Sequence, residues 1–471
     1  MMTPTPAGNK LTSVRDVLAF LRHEHVRLVS IFGSIEEGAK RCVHYILEVD
    51  GREYRVVSLP VEGNIPSATT VTPAAAWYER ELHELYGVKI NGHPNLQPLL
   101  SHASGYHFLQ VDGPGVCEVP VGPVHAGIIE PGHFRFSVVG DTVLHLELRH
   151  FYTHKGTEKL FEGAPVMSAP MLAESVSGDN CFAHAVAYCQ AVESACGVSV
   201  PPRGRALRLV GLELERMLAH IADLGALCGD VAFAVPAAYT ARIKELLLQA
   251  STRYFGTRCW RGLAVPGGIK RNLSAEQARE LSQVVAEAAR DFAELSRLVL
   301  DTPSLLNRFE STGILSREHA RALGVVGPAA RASGLKLDVR HDHPYGAYRK
   351  LALEVPHYPQ GDVLARARIR IDETAISARL IGETLDALPA GAISSPVTCP
   401  AAAEGFSAVE SPRGELLYWI RIQDGCLRRC HIKSPSFQNW PALPLAMPGN
   451  IIADFPVINK SFNLSYSGCD R

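Results

Sequence analysis

The chain has 471 residues, 46% of them hydrophobic, and a formal net charge of -1 at pH 7. This length is too great for a single hydrophobic core, so we expect two or three domains. The balanced charge argues against a nucleic-acid-binding protein and against attraction to anionic lipid, which leaves local sites to carry the function.

Hydropathy and cysteine content point to a protein without its own membrane anchor. No stretch approaches the roughly 18 consecutive apolar residues that a membrane-spanning helix needs. The N-terminus lacks the apolar core of a secretory signal, so we expect a cytoplasmic protein whose 11 cysteines are mostly free thiols. Cys426 and Cys430 have a spacing that would allow two metal ligands, but without a companion pair we interpret them as structural thiols.

Four regions are predicted along the chain. Residues 1–10 are expected to be disordered, and residues 11–100 to form a small α+β domain. Residues 101–118, with four Gly or Pro and little periodicity, are the predicted linker. Residues 119–471 form the second predicted domain.

The first domain begins with a predicted helix and a hairpin. The helix is indicated by apolar residues at helical spacing, namely Val14, Val17, Leu18, Leu21 and Val26. Alternating segments at 43–49 and 54–57 predict two strands. Asp50-Gly51 between them is typical of a two-residue hairpin turn, because Gly tolerates positive φ.

A second helix is predicted from about Pro73 to Tyr86, with Gly87 as its left-handed C-terminal residue. Beyond the linker, short strands are predicted at 134–139 and 143–148, with a weaker signal at 119–121.

Long helices dominate the rest of the chain. The first has one apolar face, made of Leu207, Val210, Leu214, Met217, Leu218, Ile221 and Leu224. Ser274 and Gln277 form a capping box before a helix that reaches about Leu300, and Asp362 caps another that reaches about Leu388. Several helices of this length imply a helical bundle.

One segment of the first domain, residues 78–88 followed by Gly92-His93-Pro94, resembles the signature of the small hydrophilic subunit that adjoins the quinone-site subunit of respiratory complex I. Three acidic residues lie in this segment, Glu79, Glu81 and Glu84. They are interpreted either as a solvated helix face or as a docking surface for a neighbouring subunit.

Residues 119–471 resemble the large subunit of group 4 nickel-iron hydrogenases, the energy-converting, formate-hydrogenlyase type, and the quinone-site subunit of complex I. The resemblance rests on short motifs in a common order, including Gly122-Pro123-Val124-His125, Pro131-Gly132-His133-Phe134-Arg135, Phe182-Ala183-His184, Glu213-Leu214-Glu215-Arg216, Arg331-Ala332-Ser333-Gly334 and Pro412-Arg413-Gly414-Glu415. It implies an α+β N-terminal domain followed by a mainly α-helical bundle domain with small peripheral β-sheets.

The resemblance also shows what this chain lacks. Hydrogenases of the family hold nickel and iron with four cysteine thiolates, and the corresponding positions here are Ser177, Asn180, Ser465 and Gly468. Because soft thiolates suit these metals, we predict that the chain has no nickel-iron centre. Cys181 and Cys469 each follow a ligand position by one residue, and a rotation of roughly 100° per helical residue should turn their thiols elsewhere.

Three residues are the candidates for remaining chemistry. The resemblance places His133 and Asp230 where complex I has the histidine and aspartate of its quinone cavity, and Asp230 is expected to be buried. A His-carboxylate pair is a plausible unit for proton delivery. Arg413 matches an arginine that lines the hydrogenase cavity, with a structural ion pair as its alternative role. Ser168 stands near the position of the quinone-site tyrosine.

The sequence therefore predicts a subunit of a membrane-associated, complex I-like or hydrogenase-like oxidoreductase complex, peripheral on the cytoplasmic side and not active alone. The resemblance implies two kinds of partner, a small iron-sulfur subunit with a 4Fe-4S cluster and antiporter-like membrane subunits. No cofactor is expected in this chain itself, with a quinone as the one candidate ligand. Two alternatives stay open: a quinone-reducing NADH dehydrogenase-type subunit, and a non-catalytic scaffold of an ion-coupled transport complex.

Overall fold

The computed structural model describes residues 11–102, 105–125 and 129–471, with the backbone alone for Glu37. The N-terminus predicted to be disordered, residues 1–10, lies outside the described residues. Within the described ranges, no helix combines the length and apolar character that crossing a membrane requires.

The first region is an α+β unit built on a three-stranded antiparallel sheet in the order β1-β2-β3. Its elements are α1 (Val14–Phe20), β1 (Val26–Ile35), β2 (Arg41–Val49), β3 (Glu53–Val61), β4 (Asn64–Pro66), α2 (Ala76–Tyr86) and β5 (Lys89–Asn91). Asp50 and Gly51 have φ angles of 55° and 62°, which confirms a hairpin turn at this position, but Val49 pairs with Glu53, so the loop has three residues and not the predicted two. The first helix was predicted too long, because Val26 begins β1 and pairs with Val49.

Helix α2 packs closely on β1. At Gly33 a side chain would meet the Tyr86 ring at 2.6 Å, so only glycine allows this approach. Gly87 ends the helix with φ 62°, as predicted.

The acidic residues of α2 serve this chain's own structure. The Glu79 carboxylate accepts hydrogen bonds from the Ser67 hydroxyl and the Ala68 amide, both at 2.6 Å. Glu84 accepts from the amide of Leu99 at 2.6 Å. Both interpretations of these carboxylates, as a solvated face and as a docking surface, are therefore wrong for Glu79 and Glu84, because backbone donors already use them.

The second region contains a small sheet, long helices and a second larger sheet. Its first part comprises β6 (Val116–Val121), β7 (His133–Val139), β8 (Thr142–Arg149), α3 (Thr157–Phe161), α4 (Pro170–Glu174), α5 (Cys181–Cys196), α6 (Pro202–Asp230), α7 (Ala234–Phe255), β9 (Ala264–Val265), β10 (Gly268–Ile269) and α8 (Ala275–Leu300). The remainder comprises α9 (Pro303–Phe309), α10 (Arg317–Ala322), α11 (Gly327–Ala332), α12 (Val339–Asp342), α13 (Val363–Asp386), β11 (Ala402–Ser411), β12 (Gly414–Gln423), β13 (Cys426–Lys433), α14 (Pro435–Asn439), α15 (Leu443–Ala446), α16 (Phe455–Phe462) and α17 (Tyr466–Asp470).

Helices α6, α7, α8 and α13 pack on one another as a bundle. The capping box of Ser274 and Gln277 is confirmed at the start of α8, which ends at Leu300 as predicted. The Asp362 side chain accepts from the amide of Ala365 at 2.8 Å and so caps α13. The chain is thus a mixed α/β structure with small sheets and many helices.

The antiparallel sheet β11-β12-β13 was missed from the sequence. One face packs on α5, where the Ser407 hydroxyl donates to the Ala187 carbonyl at 2.6 Å. The other meets the first region, where the rings of Trp419 and Phe32 lie 5.1 Å apart. Because both faces are covered, β12 is buried almost throughout, and its central residues 416–420 are apolar or aromatic without alternation. Cys426 and Cys430 lie on β13, about 13 Å apart at the usual rise per residue, too far for one metal ion.

Buried charges link α6 and α13. Along α6, Arg216, His220 and Asp223 follow one another at helical spacing, and all are buried. The Glu373 carboxylate on α13 lies 2.8 Å from Nε2 of His220 and accepts from Nε of Arg331 at 2.7 Å. The Glu373 charge is therefore compensated by Arg331 on α11 and lies 3.7 Å from Arg216 on α6.

Replacing Glu373 with glutamine removes the negative charge and leaves Arg331 in the interior with less compensation. We expect the free energy of unfolding, measured by urea denaturation, to fall by about 3 kcal/mol. Glu383→Gln is the matched control, because Glu383 lies on the same helix and its side chain is 46% exposed. Equal losses in both variants would contradict a special role for the buried charges.

Buried histidines make stability depend on pH. Burial lowers the pKa of His184 to about 3, with the nearby Lys155 charge adding to the effect. As pH falls below about 6.5, the imidazole of His184 binds a proton in the unfolded chain but stays neutral in the folded chain. The free energy of unfolding therefore decreases as pH falls through this range.

In His184→Asn the amide can still bond the Tyr418 hydroxyl, which lies 2.8 Å from Nδ1 of His184. Between pH 6 and pH 4 the unfolding free energy of this variant should fall less steeply than that of the parent protein. We expect the two slopes to differ by about 1.4 kcal/mol per pH unit. Urea denaturation across that range measures the slope. His319→Asn, at an exposed position of α10, should keep the slope of the parent protein.

Candidate functional site

The two segments that carry cysteines in nickel-iron hydrogenases meet in this structure. Ser177 precedes the short helix before α5, and Ser465 caps α17. The Ser177 hydroxyl donates to the Ser465 hydroxyl at 3.1 Å, and the Gly468 amide donates to the same oxygen at 2.9 Å. Asn180 is buried three residues after Ser177. Three of the four predicted positions are thus joined by hydrogen bonds.

The groups at these positions do not fit a nickel-iron centre. They offer two hydroxyls, one amide and a glycine without a side chain, none of which replaces a soft thiolate. The adjacent thiols do not compensate. The Cys181 thiol donates to the Cys259 carbonyl at 3.2 Å, and both Cys181 and Cys469 are buried.

Arg413 lies in the turn between β11 and β12, beside this cluster. Its guanidinium donates two hydrogen bonds to the Asp223 carboxylate and one, at 3.3 Å, to Asp179. Asp223 also accepts from Nε of Arg370 at 2.8 Å and from the Asn463 amide. Two cations and two carboxylates therefore balance, which supports the ion-pair role for Arg413.

Electrostatics keep Asp223 ionised. Burial alone would raise the pKa of this carboxyl, but the guanidinium groups of Arg413 and Arg370 lower it to about 2. The same pairing raises the pKa of Arg413. Within the described residues, Nε of Arg413 is buried without a hydrogen-bond partner, so this cluster retains one unused donor.

His133 and Asp230 do not form the expected pair. His133 opens β7, where Nδ1 lies 3.2 Å from the Gly122 carbonyl and the ring lies 5.3 Å from that of Phe108. Asp230 is exposed at the last residue of α6, so the prediction that it is buried is wrong. No hydrogen bond or ion pair joins the two side chains in the described part of the chain. The apolar stripe of α6 ends before Asp230, and solvent reaches the carboxylate.

The carboxylate that the site uses, Asp223, was missed. It lies two helical turns before Asp230, at the end of the polar series Arg216, His220 and Asp223. Three ionisable residues at positions i, i+4 and i+7 lie on one side of a helix, and this spacing signals a polar stripe. Ser168, near the tyrosine position of complex I, is exposed and donates to the Pro165 carbonyl at 3.0 Å.

A second group of metal-ligand types lies in the first region. The donor atoms of Glu36, Cys42 and His44 lie within 4.8 Å of one another. Both oxygens of Glu36 accept from Arg421 at 2.6 Å, and both ring nitrogens of His44 bond serine hydroxyls at 2.8 Å. Because these donors already have partners, we assign no metal to this cluster.

Comparison with known proteins agrees with the motifs. The model of the respiratory-chain NADH dehydrogenase 30 Kd subunit matches residues 10–114, and that of the 49 Kd subunit matches residues 230–401 and 393–471. Hydrogenase-4 component G of Escherichia coli is 31% identical over 98% of this chain and 87% of its own length. Formate hydrogenlyase subunit 5 of the same organism is 32% identical over 98% and 88%.

The membrane-bound sulfane sulfur reductase, an archaeal respiratory membrane complex, contains a chain of the same fold, with a TM-score of 0.71 and 24% identity over 76% of this chain and 99% of that one. The protein belongs to the family of complex I 49 Kd-type subunits and group 4 hydrogenase large subunits, here fused to a 30 Kd-type domain. The family identified from the sequence motifs is confirmed.

Asp223→Asn tests which carboxylate of α6 supports the site. The substitution removes the charge that compensates Arg413 and Arg370, so we expect a loss of about 3 kcal/mol in unfolding free energy. Asp230→Asn, the same change at the exposed end of the same helix, should cost no more than about 0.5 kcal/mol. Urea denaturation of both variants measures the difference, and a larger loss for Asp230→Asn would reverse the assignment.

Proposed function

We propose that this chain is a subunit of a membrane-associated oxidoreductase complex and takes part in electron transfer or its coupling to ion translocation, without a nickel-iron centre of its own. One combined observation carries the proposal. The chain resembles hydrogenase subunits over 98% of its length, yet hydroxyls occupy two metal-ligand positions and bond each other. A chain without its own redox centre requires partners to supply electrons.

The proposed partners are a small iron-sulfur subunit with a 4Fe-4S cluster and antiporter-like membrane subunits, with this chain on the cytoplasmic side. The relatives include a membrane-bound hydrogenase subunit alpha of Pyrococcus furiosus, 27% identical over 75% of this chain. Large apolar side chains also stand exposed on the second region: Leu160 is 58% exposed, Met167 50% and Met171 73%. Exposed apolar groups of this kind fit a protein-protein contact better than open solvent.

The charged cluster suits an electrostatic role better than proton delivery. With a pKa of about 2, Asp223 holds no proton near neutral pH and cannot act as a general acid there. The charge of Arg413 is balanced by its carboxylate partners, but its unused N–H would donate a hydrogen bond to an acceptor in its vicinity. The charged groups around Asp223 and Arg413 would therefore keep their ionisation states and positions while electrons move in a neighbouring subunit.

A quinone-reducing NADH dehydrogenase-type subunit fits the relatives equally well. One of the NADH-quinone oxidoreductase chains of Roseiflexus is 30% identical over 75% of this chain and 98% of its own length. In the described structure Nε2 of His133 is buried without a partner, and this nitrogen could bond a quinone oxygen. The Ser177–Ser465 contact supports the scaffold alternative, because these two side chains bond each other at positions that the resemblance assigns to metal ligands.

The test uses the intact complex, purified through a tag on this chain. We expect substoichiometric nickel by metal analysis, no hydrogen turnover with a viologen dye, and iron-sulfur and membrane proteins in the preparation. Stoichiometric nickel or sustained hydrogen turnover would overturn the proposal.

Variants then separate the roles of the cluster. Arg413→Lys keeps the charge but loses the two-pronged bond, so we expect electron transfer from NADH or ferredoxin to a quinone to fall by about tenfold or more. Arg258→Lys, in an exposed ion pair on the surface, is the control. Loss of quinone reduction in His133→Ala alone would favour the quinone-site role. Full activity in both His133→Ala and Arg413→Lys would favour the scaffold.

A further inference from the structure

Two cysteines far apart in sequence meet near the surface. Cys196 is the last residue of α5, and Cys399 lies in the segment 387–401 between α13 and β11. Their sulfur atoms are 3.5 Å apart, although the residues are separated by 203 positions. Both side chains are partly exposed, so a small reagent can reach them.

This pair differs from the other thiols. Cys181 bonds a backbone carbonyl, Cys189 and Cys430 are fully buried, and Cys117 and Cys259 are exposed. Among the described residues, no other two cysteine sulfurs are within hydrogen-bonding distance of each other. Only the pair of Cys196 and Cys399 therefore combines contact with access.

The segment that carries Cys399 is attached to the rest of the structure by backbone hydrogen bonds. The segment 387–401 is fixed on the β9–β10 hairpin, because the Ile269 amide donates to the Ile393 carbonyl at 3.2 Å and the Ser395 amide donates to Gly267 at 3.0 Å. A disulfide requires the sulfurs to approach to about 2.05 Å, which is about 1.5 Å closer than their present separation. The bond would thus form on an existing framework.

We propose that Cys196 and Cys399 are a redox modification site and form a reversible disulfide by exchange with a low-molecular-weight disulfide. One protein thiolate attacks a sulfur of the reagent, expels the first thiolate and forms a mixed disulfide. The second protein thiolate then attacks the protein sulfur of that mixed disulfide and expels the other half of the reagent. Two S–H bonds are lost, one S–S bond forms, and the reagent leaves as two thiols that carry the two protons.

The local environment sets the rate of this exchange. Burial, the Cys399 thiol and the Glu193 carboxylate raise the pKa of Cys196 to about 12. Little thiolate is therefore present at neutral pH, and exchange should be slow there and faster as pH rises.

The bond would join the end of α5 to the segment that leads into β11. These two elements already pack closely, since a side chain at Gly405 would lie 2.0 Å from the Ala191 carbonyl. At the opposite ends of these two elements, Asn180 precedes α5 and Arg413 follows β11. Oxidation should therefore tighten the framework of the site while leaving the geometry of the cluster unchanged.

The test treats the full-length protein with glutathione disulfide at pH 8, then denatures it and blocks the free thiols with N-ethylmaleimide at mildly acidic pH. Tryptic digestion without reductant and mass spectrometry should find one peptide pair joined through Cys196 and Cys399, with two of the 11 thiols lost. The apparent Tm should rise by a few degrees and return after reduction.

Cys399→Ser and Cys196→Ser should each abolish the crosslink and the rise in Tm, whereas Cys117→Ser, at an exposed thiol, should retain both. The proposal is wrong if all 11 thiols stay free under these conditions, or if Cys196 and Cys399 are recovered only as separate glutathione adducts. It is equally wrong if Cys399→Ser still loses two thiols to an internal crosslink.

Discussion

The pairing of buried charges between α6 and α13 is the constraint on which the second region depends. Asp223 lies 2.8 Å from Arg370, and His220 lies 2.8 Å from Glu373, so two polar stripes face each other inside an apolar bundle. An unpaired charge in such an interior is costly, and each group therefore fixes the position of its partner. Apolar packing alone would allow the two helices to slide, whereas paired charges define one register.

That register also positions the site. Arg413 reaches the cluster from the β11–β12 turn because Asp223 holds it, and Asn463 reaches the same carboxylate from the C-terminal segment. Asn463 has a φ of 47°, a left-handed conformation that asparagine tolerates better than most residues. Charged and amide groups thus surround the point where the Ser177 and Ser465 hydroxyls meet, the positions that the sequence resemblance assigns to metal ligands in hydrogenases.

The sequence predicted the elements whose signals are local. The capping box at Ser274, the positive φ at Gly87 and the hairpin at Asp50-Gly51 each depend on a few adjacent residues. It missed β1 and β12, whose strand character depends on pairing and on coverage of both faces by distant segments. Within the site, motif order selected Ser177, Ser465 and Gly468, which hydrogen bonds bring together, but motif order alone also selected Asp230. Asp223 is buried in the bundle and Asp230 is exposed at the end of α6, a difference that depends on the packing of distant helices.

Ion pairs join the first and second regions of the fused chain, as they would join two separate subunits. Arg27 of β1 bonds Glu415 of β12 at 2.7 Å, and Glu81 of α2 bonds Arg471 at 2.6 Å. A covalent connection makes association intramolecular, so the interface forms at a high effective concentration that does not depend on how much protein the cell makes. If the two parts were encoded by separate genes, the same interface would need a considerably higher affinity to stay associated. Fusion therefore allows more sequence variation at the interface.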